Sequence, residues 1–409
     1  MYNYTSRKDL FLGRDIAYNQ DMTSRLSSYK RILSLDFQEA RAALLLGPRK
    51  VGKTTFLHQK YPRATYIDLL QTDIRAEFQI HSSKLREIVL EFPKKLYVID
   101  EIQKVPALLD EIHWCLENTT SQFILCGSSA RKLKRGASNL LGGRAFKYEL
   151  YPLTSREIPH FDLMMAINKG LIPQHYQAKN VQKFLKAYIE QYLQEEIVEE
   201  SQIRKLASFH RFLEVSALMN GELLNYANVG ADCGVSGKTV REYYQILEET
   251  LLGFTLWPWR KVKTRKLIET AKFYLFDLGV IRYLKGLDAI SLRTPEFGNS
   301  FETFLINEVR AYLSYQQSSK KLSYWKTTSG LEVDLVVGQM DVALEFKSTD
   351  KVHNEHFGGL KAIIEEHHPK HAILVCMDKN SRKLENGIRI LYFEQFLSEL
   401  WAGEIIHEG

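Results

Sequence analysis

The stretch that most constrains this chain is residues 41–55, RAALLLGPRKVGKTT. Its apolar start, residues 42–46, has the length and composition of a buried parallel strand. The pattern GxxxxGK[ST] follows at once, and its two glycines let successive backbone N–H groups curl around a phosphate at the positive end of the next helix. The sequence therefore predicts a nucleotide site made of Gly47, Pro48, Arg49, Lys50, Val51, Gly52, Lys53, Thr54 and Thr55.

Two side chains of this loop predict the cofactors ATP and Mg²⁺. Lys53 is placed to reach the β- and γ-phosphates, and the hydroxyl of Thr54 is a ligand for Mg²⁺. A second apolar strand, LYVIDE at residues 96–101, ends in two carboxylates. We expect Asp100 to hold the Mg²⁺ shell and Glu101 to polarise an attacking water, which favours an NTP hydrolase over a small-molecule kinase. The alternative is a core strand with two solvated acids beside an unrelated glycine-rich turn.

Length and composition indicate a globular protein of several domains. At 409 residues the chain exceeds one hydrophobic core, and we expect a helical segment at 1–40 and three domains at 41–158, 159–292 and 297–409. Hydrophobic residues at 45% and charged residues at 25% disfavour disordered and membrane classes. The N-terminus lacks an apolar signal core, and the four cysteines lack metal-ligand spacing. These features predict a cytoplasmic protein without a membrane partner.

Strand and helix patterns alternate through the first third of the chain, which predicts an α/β fold with a parallel sheet. Residues 22–37 have the spacing of an amphipathic helix, with Leu26, Tyr29, Ile32 and Leu33 on one face. Further strands are predicted at 64–69, 121–129 and 146–150, and a helix at 85–92. The strand at 121–129 ends in two hydroxyls, Ser128 and Ser129, of which one would face the γ-phosphate. The alternative is a strand followed by a Ser-capped helix.

Residues 41–158 resemble a family of prokaryotic AAA+ ATPases. The shared features are the loop GPRKVGKTT, IDEIQ at 99–103, LCGSSA at 125–130 and LLGGRAFKYELYPLTSREI at 140–158. The resemblance implies that Arg144, after Gly143, is a finger or sensor for the γ-phosphate, with Arg131 as the rival for that role. An arginine that acts in trans implies a homo-oligomer, with a hexameric ring as one form.

A helix-turn-helix pattern occupies residues 225–251, with a first helix ending near Gly234 and Ser236 capping the second. Lys238, Thr239 and Arg241 lie where a recognition helix would touch DNA, so the pattern predicts a winged-helix region and a DNA partner. Residues 251–266 would form the basic wing, because the stretch WPWRKVKTRK at 257–266 carries five cations and no acid. A packing module that binds no DNA, with a solvated basic hairpin, is the alternative.

The order of elements after residue 297 resembles the restriction-endonuclease-like core. It is a helix at 300–315, strands at 322–326, 331–337 and 342–347, a helix at 358–368 and a strand at 371–377. GLEVDLVV followed by ALEFKS resembles the PD-(D/E)xK pattern, with Val333 where proline often stands. The resemblance implies metal ligands at Asp334 and Glu345, Lys347 beside the scissile phosphate and Glu302 as the fourth member, converging at an open edge of the sheet.

In the family that residues 41–158 resemble, the ATPase is often followed by a winged-helix segment and a nuclease-like domain of unsettled function. We therefore expect a Mg²⁺-dependent ATPase that acts on or near DNA. A competing interpretation is an ATP-driven switch or scaffold, in which the C-terminal domain docks a partner without cleavage.

Overall fold

The computed structural model describes residues 29–37, 39–128, 144–193, 206–260 and 270–407. The chain divides into two compact units, residues 1–151 and 152–409. The predicted segments 159–292 and 297–409 thus belong to one unit, because strands from the first segment join the sheet of the second. No helix in the described ranges has both the length and the apolar composition of a membrane span.

In the described part of the first unit, five parallel strands form one sheet in the order β2–β3–β4–β1–β5. The carboxyl ends of these strands therefore lie at one edge of the sheet, where the sequence places the nucleotide loop and the paired acids. The strands match the predicted ones within two residues: β1 Ala42–Leu46, β2 Thr65–Asp68, β3 Leu96–Asp100, β4 Gln122–Gly127 and β5 Ala145–Glu149.

Helices connect these strands, as expected for parallel pairs, which need crossover connections. They are α1 Lys53–Lys60, α2 Thr72–Ile80, α3 Lys84–Glu91 and α4 Leu108–Asn118, with a short 3₁₀ turn at Ile102–Lys104. The inner strands β1, β3 and β4 are almost continuously buried, which explains their unbroken apolar sequences.

The predicted N-terminal helix at 22–37 is wrong over its described part. Residues 29–37 form neither helix nor strand, and Leu33, Leu35 and Phe37 are buried while the residues between them are exposed. This two-residue alternation is that of an extended strap, and Ile32, which the helical pattern assigned to the packed face, is 39% exposed. The strap is fixed by Arg31, which donates to the carbonyls of Val51 (2.7 Å) and Tyr151 (2.6 Å). Leu26 lies outside the described residues.

The second unit begins with helices and continues into a helix-turn-helix arrangement. The bounds are α5 Leu163–Lys169, α6 Pro173–Gln177, α7 Val181–Ala187 with a π-helical turn Tyr188–Leu193, α8 Leu206–Leu218, α9 Tyr226–Cys233 and α10 Gly237–Glu249. Helix α9 ends at Gly234 (φ 66°), and the Ser236 side chain caps α10 by accepting from the Thr239 N–H at 3.1 Å. Lys238 and Arg241 are exposed on α10. The helix ends and the cap thus follow the predicted pattern.

Across residues 152–193, 206–260 and 270–407, eight strands form a mixed sheet in the order β12–β13–β11–β10–β9–β8–β6–β7. The strands are β6 Gly253–Pro258, β7 Lys272–Leu275, β8 Leu322–Lys326, β9 Glu332–Val337, β10 Val342–Lys347, β11 His371–Cys376, β12 Arg382–Lys383 and β13 Arg389–Tyr392. The helices are α11 Leu278–Leu284, α12 Pro295–Tyr315, α13 Gly358–His367 and α14 Phe393–Ala402, with 3₁₀ turns at Ser155–Glu157 and Asn354–Phe357.

Strand β6, which lies within the predicted wing, forms an antiparallel hairpin with β7 that pairs with this sheet. Trp257 and Pro258 of β6 lie opposite Ser323 and Tyr324 of β8 in a parallel ladder. Of the basic stretch between the two strands, Arg260 is described, whereas Lys261, Lys263, Arg265 and Lys266 lie outside the described residues. The hairpin therefore extends the C-terminal sheet by two strands.

Candidate functional site

The nucleotide loop follows β1 directly and turns through two left-handed residues. Lys50 has φ 66° and Gly52 has φ 93°, and α1 begins at the next residue, Lys53. The buried Lys53 ammonium donates to the carbonyls of Gly47 (2.7 Å) and Pro48 (3.1 Å). The loop thus curls around the ammonium at the start of a helix, where backbone N–H groups and a positive charge favour phosphate.

The predicted metal-binding pair is assembled at the same edge. The Thr54 hydroxyl donates to Asp100 Oδ2 at 2.6 Å, although the two residues lie 46 positions apart in sequence. Asp100 is the last residue of β3 and is 6% exposed, and its Oδ1 accepts from the Glu101 N–H at 3.0 Å. A hydroxyl and a carboxylate at this separation are suited to share one Mg²⁺ with phosphate oxygens.

Glu101 leaves the strand in an unusual conformation. Its φ of 55° lies in the left-handed region, where non-glycine residues are uncommon and must be held by their surroundings. The 3₁₀ turn that follows brings Gln103 back to its side, and Gln103 Nε2 donates to Glu101 Oε2. The same nitrogen donates to Ser128 Oγ at 3.2 Å. The structure therefore joins Glu101 and Ser128 through Gln103, a residue of the IDEIQ stretch for which the sequence predicted no role.

Arg144 is not at this edge. It precedes β5, whose first residue pairs with Ala42 at the beginning of β1, so it lies at the amino ends of the parallel strands. Its guanidinium contacts Glu117 Oε1 at 2.9 Å and the ring nitrogens of His113 at 3.0 and 3.2 Å. A sensor role for Arg144 at the nucleotide of its own subunit is therefore wrong, because the nucleotide loop follows the carboxyl end of β1. Ser129, Arg131 and Gly143 lie outside the described residues.

The predicted C-terminal acids come together in the second unit. Asp334 on β9 and Glu345 on β10 are neighbours across an antiparallel strand pair, and both are buried. Asp334 Oδ2 accepts from the Phe346 N–H at 2.8 Å, and Lys347 Nζ lies 2.5 Å from Glu345 Oε1. The predicted position at an open sheet edge is wrong, because β8 and β11 flank the two strands.

Burial and mutual repulsion shape the charges of this acidic cluster, which comprises Glu302, Asp334 and Glu345. Burial first, and then Asp334, raises the pKa of Glu345 from 4.5 to about 8. The same two causes raise the pKa of Glu302 from 4.5 to about 7. Burial also raises the pKa of Asp334, against the attraction of Lys347. These carboxyl groups therefore hold their protons more tightly than ordinary carboxyls do.

Lys272 of β7 contacts this cluster, although no sequence pattern pointed to it. Its ammonium forms a salt bridge with Glu332 and lies 4.0 Å from Glu302 Oε1. The Tyr274 hydroxyl, two residues along β7, donates to the same Glu302 oxygen at 2.6 Å. Burial would lower the pKa of Lys272, but the surrounding carboxylates outweigh it and raise that pKa. The hairpin thus supplies a buried cation to the acidic face.

A β-bulge in β9 interrupts the regular pairing of this strand with β8 at the position of Asp334. Ser323 pairs with Val336, but Trp325 pairs with Val333, so β9 has one residue more than β8 between these pairs. The bulge includes Asp334, so the regular two-residue alternation of side chains along β9 is interrupted at this residue. Among the residues that the structure describes, no three or more His, Cys, Asp or Glu side chains are arranged to hold a metal ion. A metal here would therefore rest on Asp334 and Glu345 alone.

Comparison with known protein families finds a match within the first unit and the residues that follow it. Residues 39–159 match the family described as AAA domain. Residues 160–291 and 297–396 match two domains of unknown function, DUF8612 and DUF4143 respectively. The match and the loop geometry together support a P-loop, AAA-like ATPase domain. The winged-helix and nuclease-like assignments receive no support from these matches.

Uncharacterized proteins of Mycobacterium tuberculosis and Mycobacterium bovis are each 26% identical over 310 residues, which is 73% of this chain and 68% of each relative. The Walker-type ATPase of Pyrococcus abyssi is 14% identical, with a TM-score of 0.41 over 61% of this chain and 92% of that one. A Signal Transduction ATPase with Numerous Domains with a tetratricopeptide repeat sensor, from Pyrococcus horikoshii, is 12% identical, with a TM-score of 0.19 over 72% of this chain and 49% of that one.

Proposed function

We propose that this chain binds Mg·ATP at its P-loop and hydrolyses it with Glu101 as the general base. The observation that carries the proposal is the hydrogen bond between Thr54 and Asp100, with Glu101 next in sequence, at the carboxyl edge of the sheet. Two groups distant in sequence are held together there beside a loop that presents backbone N–H groups and the Lys53 ammonium. A core built only for packing has no need of this arrangement.

Each residue has a distinct task in this reaction. The P-loop and Lys53 bind the phosphates, and Thr54 and Asp100 would hold a Mg²⁺ ion that would neutralise their charge. Glu101 accepts a proton from the attacking water as its oxygen bonds to the γ-phosphorus. The bond from that phosphorus to the bridging oxygen breaks, and ADP leaves with the electron pair. Ser128, which follows β4, would contact the γ-phosphate.

Two substitutions separate binding from hydrolysis. Lys53→Ala removes phosphate neutralisation, so nucleotide binding should be lost, whereas Glu101→Gln removes only the base and should keep binding while turnover falls about 10²- to 10⁴-fold. Binding is measured by calorimetry and turnover by phosphate release. Lys94→Ala and Glu87→Gln, at exposed positions of the first unit, are matched controls that should behave as wild type. Equal loss of binding in both site variants would contradict the assignment.

We infer self-association from the position of Arg144. Because it lies at the amino edge of the sheet, exposed and on the opposite side from its own nucleotide loop, its action on ATP requires a neighbouring subunit. ATP bound between subunits would then strengthen an oligomer, and a ring is the closed form that such a head-to-tail contact generates. Light scattering on Glu101→Gln with ATP should show a larger species than without nucleotide.

We propose that the acidic cluster has a second function: it binds a divalent metal ion, and the protein uses that ion to cleave DNA. Glu345 Oε2 is buried and has no hydrogen-bond partner among the described residues, and it lies on the strand next to Asp334. An unpaired buried carboxylate oxygen is costly, and a Mg²⁺ or Mn²⁺ ion held by Asp334 and Glu345 would satisfy it. Lys347 would then stand beside the scissile phosphate, with Glu302 and Lys272 next to the pair.

The test uses the full chain without nucleotide. Mn²⁺ titration should show a site that Asp334→Ala abolishes and that Asp350→Ala, an exposed acid paired with Arg293, retains. Cleavage of duplex, single-stranded or branched DNA should disappear in Asp334→Ala while ATP turnover is unchanged. A metal site without cleavage would favour the docking-module alternative, and stimulation of turnover by DNA would favour action on DNA. Absence of the metal site would refute this second function.

A further inference from the structure

Gln103 is buried in the 3₁₀ turn after β3, with 5% of its surface exposed. Its amide nitrogen carries two hydrogens, and both are engaged, one by Glu101 Oε2 and the other by Ser128 Oγ at 3.2 Å. The amide therefore joins the end of β3 to the end of β4. These two strand ends carry the proposed base and the proposed γ-phosphate contact.

The surroundings of Gln103 are shaped for its side chain. A Cβ atom at Gly127 would lie 2.5 Å from Gln103 Oε1, so a residue with a side chain at 127 would displace the amide. Gln103 Oε1 itself is buried and has no hydrogen-bond partner among the described residues. Leaving a buried acceptor unpaired costs about 1–3 kcal/mol, which offsets much of what the two donated hydrogen bonds contribute to the stability of the fold. The position of the amide between Glu101 and Ser128 therefore points to a role in the site.

We infer that Gln103 is a positioning residue for ATP hydrolysis, which orients the Glu101 carboxylate and ties it to Ser128. The inference rests on the proposed function, in which Glu101 is the base. Glu101 sits at a left-handed backbone position, and its side chain has several rotatable bonds. A hydrogen bond to one carboxylate oxygen fixes the rotation of the group, so the base keeps one orientation relative to the tip of β4. A misplaced base transfers protons slowly because efficient transfer needs short, aligned contacts.

The first variant is Gln103→Met, which keeps the length and approximate volume of the side chain and removes both N–H donors. We expect kcat to fall about 10- to 100-fold, a part of what a general base supplies, while the affinity for ATP stays within about twofold. Gly127→Ala, which forces the amide aside without changing its chemistry, should show the same split. Gln122→Met makes the same chemical change at the far end of β4 and should leave turnover unchanged.

A double-mutant cycle separates positioning from a structural role. If Gln103 acts through the base, Gln103→Met should lower the residual turnover of Glu101→Gln by less than about twofold. Three outcomes would each overturn the inference while the wild-type protein remains active. The first is wild-type turnover in Gln103→Met, and the second is a fall in turnover of about 10- to 100-fold when Gln103→Met is added to Glu101→Gln. The third is unfolding of both Gln103→Met and Gly127→Ala. If wild-type protein shows no turnover that Lys53→Ala abolishes, the proposed function fails, and this inference fails with it.

Discussion

Replacing Arg144 by alanine tests whether Arg144 of one subunit acts at the nucleotide site of a neighbouring subunit. Arg144 is adjacent to the residue that pairs with Ala42, whereas the nucleotide loop begins at Gly47, after β1 ends. At about 3.3 Å per strand residue, five residues of β1 separate the two positions by roughly 16 Å. The pair that Arg144 forms with Glu117 is about half exposed, so its loss should change the free energy of unfolding by less than about 1 kcal/mol.

We therefore expect Arg144→Ala to hydrolyse ATP about 10³-fold more slowly while its affinity for ATP falls far less, since an arginine finger contributes at least that factor to turnover. A Glu101→Gln subunit lacks the base but can still supply its Arg144 to the nucleotide site of a neighbouring subunit. In an equimolar mixture, a site is competent when its own subunit carries Arg144→Ala and the neighbour that supplies the arginine carries Glu101→Gln. With random exchange, about one site in four meets both conditions, whatever the size of the ring.

Phosphate release after subunit exchange should thus recover to about a quarter of the wild-type rate, although each variant alone is nearly inactive. The control mixes Arg144→Ala with a subunit carrying both substitutions, which offers no arginine and should restore nothing. A mixture as inactive as its components would refute action in trans. A fall in ATP affinity as large as the fall in turnover would contradict the assignment of Arg144 as a finger.

Three further outcomes are expected. Burial raises the pKa of Glu308 from 4.5 to about 7, so the folded state holds this proton more tightly, and the free energy of unfolding should fall by at most about 3 kcal/mol as pH rises through that interval. Denaturant titrations at pH 5 and 8 should show that Glu308→Gln removes this dependence of stability on pH. An unchanged pH dependence would exclude Glu308 as its source. In Gly359→Ala the new Cβ would overlap the carbonyl oxygen of Glu332 on β9, so the free energy of unfolding should fall by about 1–3 kcal/mol and the melting temperature should fall with it. An unchanged melting temperature would show that α13 can shift freely. If the basic hairpin binds DNA, alanine at Arg260, Lys261 and Lys263 should reduce the salt dependence of binding by roughly 0.9 for each phosphate that is no longer neutralised, and an unchanged slope would place the DNA-binding surface elsewhere.

Local sequence patterns predicted the strands of the first unit within two residues and the helix ends around Gly234. The loop at Gly47–Thr54 and the strand ending in Asp100 were recognisable because apolar strands, glycine turns and terminal acids are written in consecutive residues. The helix-turn-helix was recognisable for the same reason, since Gly234 and Ser236 end one helix and begin the next through short-range hydrogen bonds.

Features that depend on distant contacts were not predictable. The strap at 29–37 has a spacing that also fits a helix, but Arg31 and the buried alternate residues hold it extended. Gln103 is part of the site because it donates a hydrogen bond to Ser128, which lies 25 residues away in sequence. Lys272 contacts the acidic cluster because it pairs with Glu302, which lies 30 residues away. The bulge in β9 is a property of its pairing with β8, which no single strand reveals.

The pairing of β6 with β8 determines which fragments of this protein are suitable for study. A fragment that begins near residue 297 keeps β8 but loses the hairpin that covers it. The uncovered N–H and C=O groups of β8 would then be a template for pairing with a second chain, and Glu332 would lose the Lys272 ammonium. Such a fragment should aggregate, and its acids should titrate unlike those of the intact protein. Work on the C-terminal acids therefore requires residues 152–409 together.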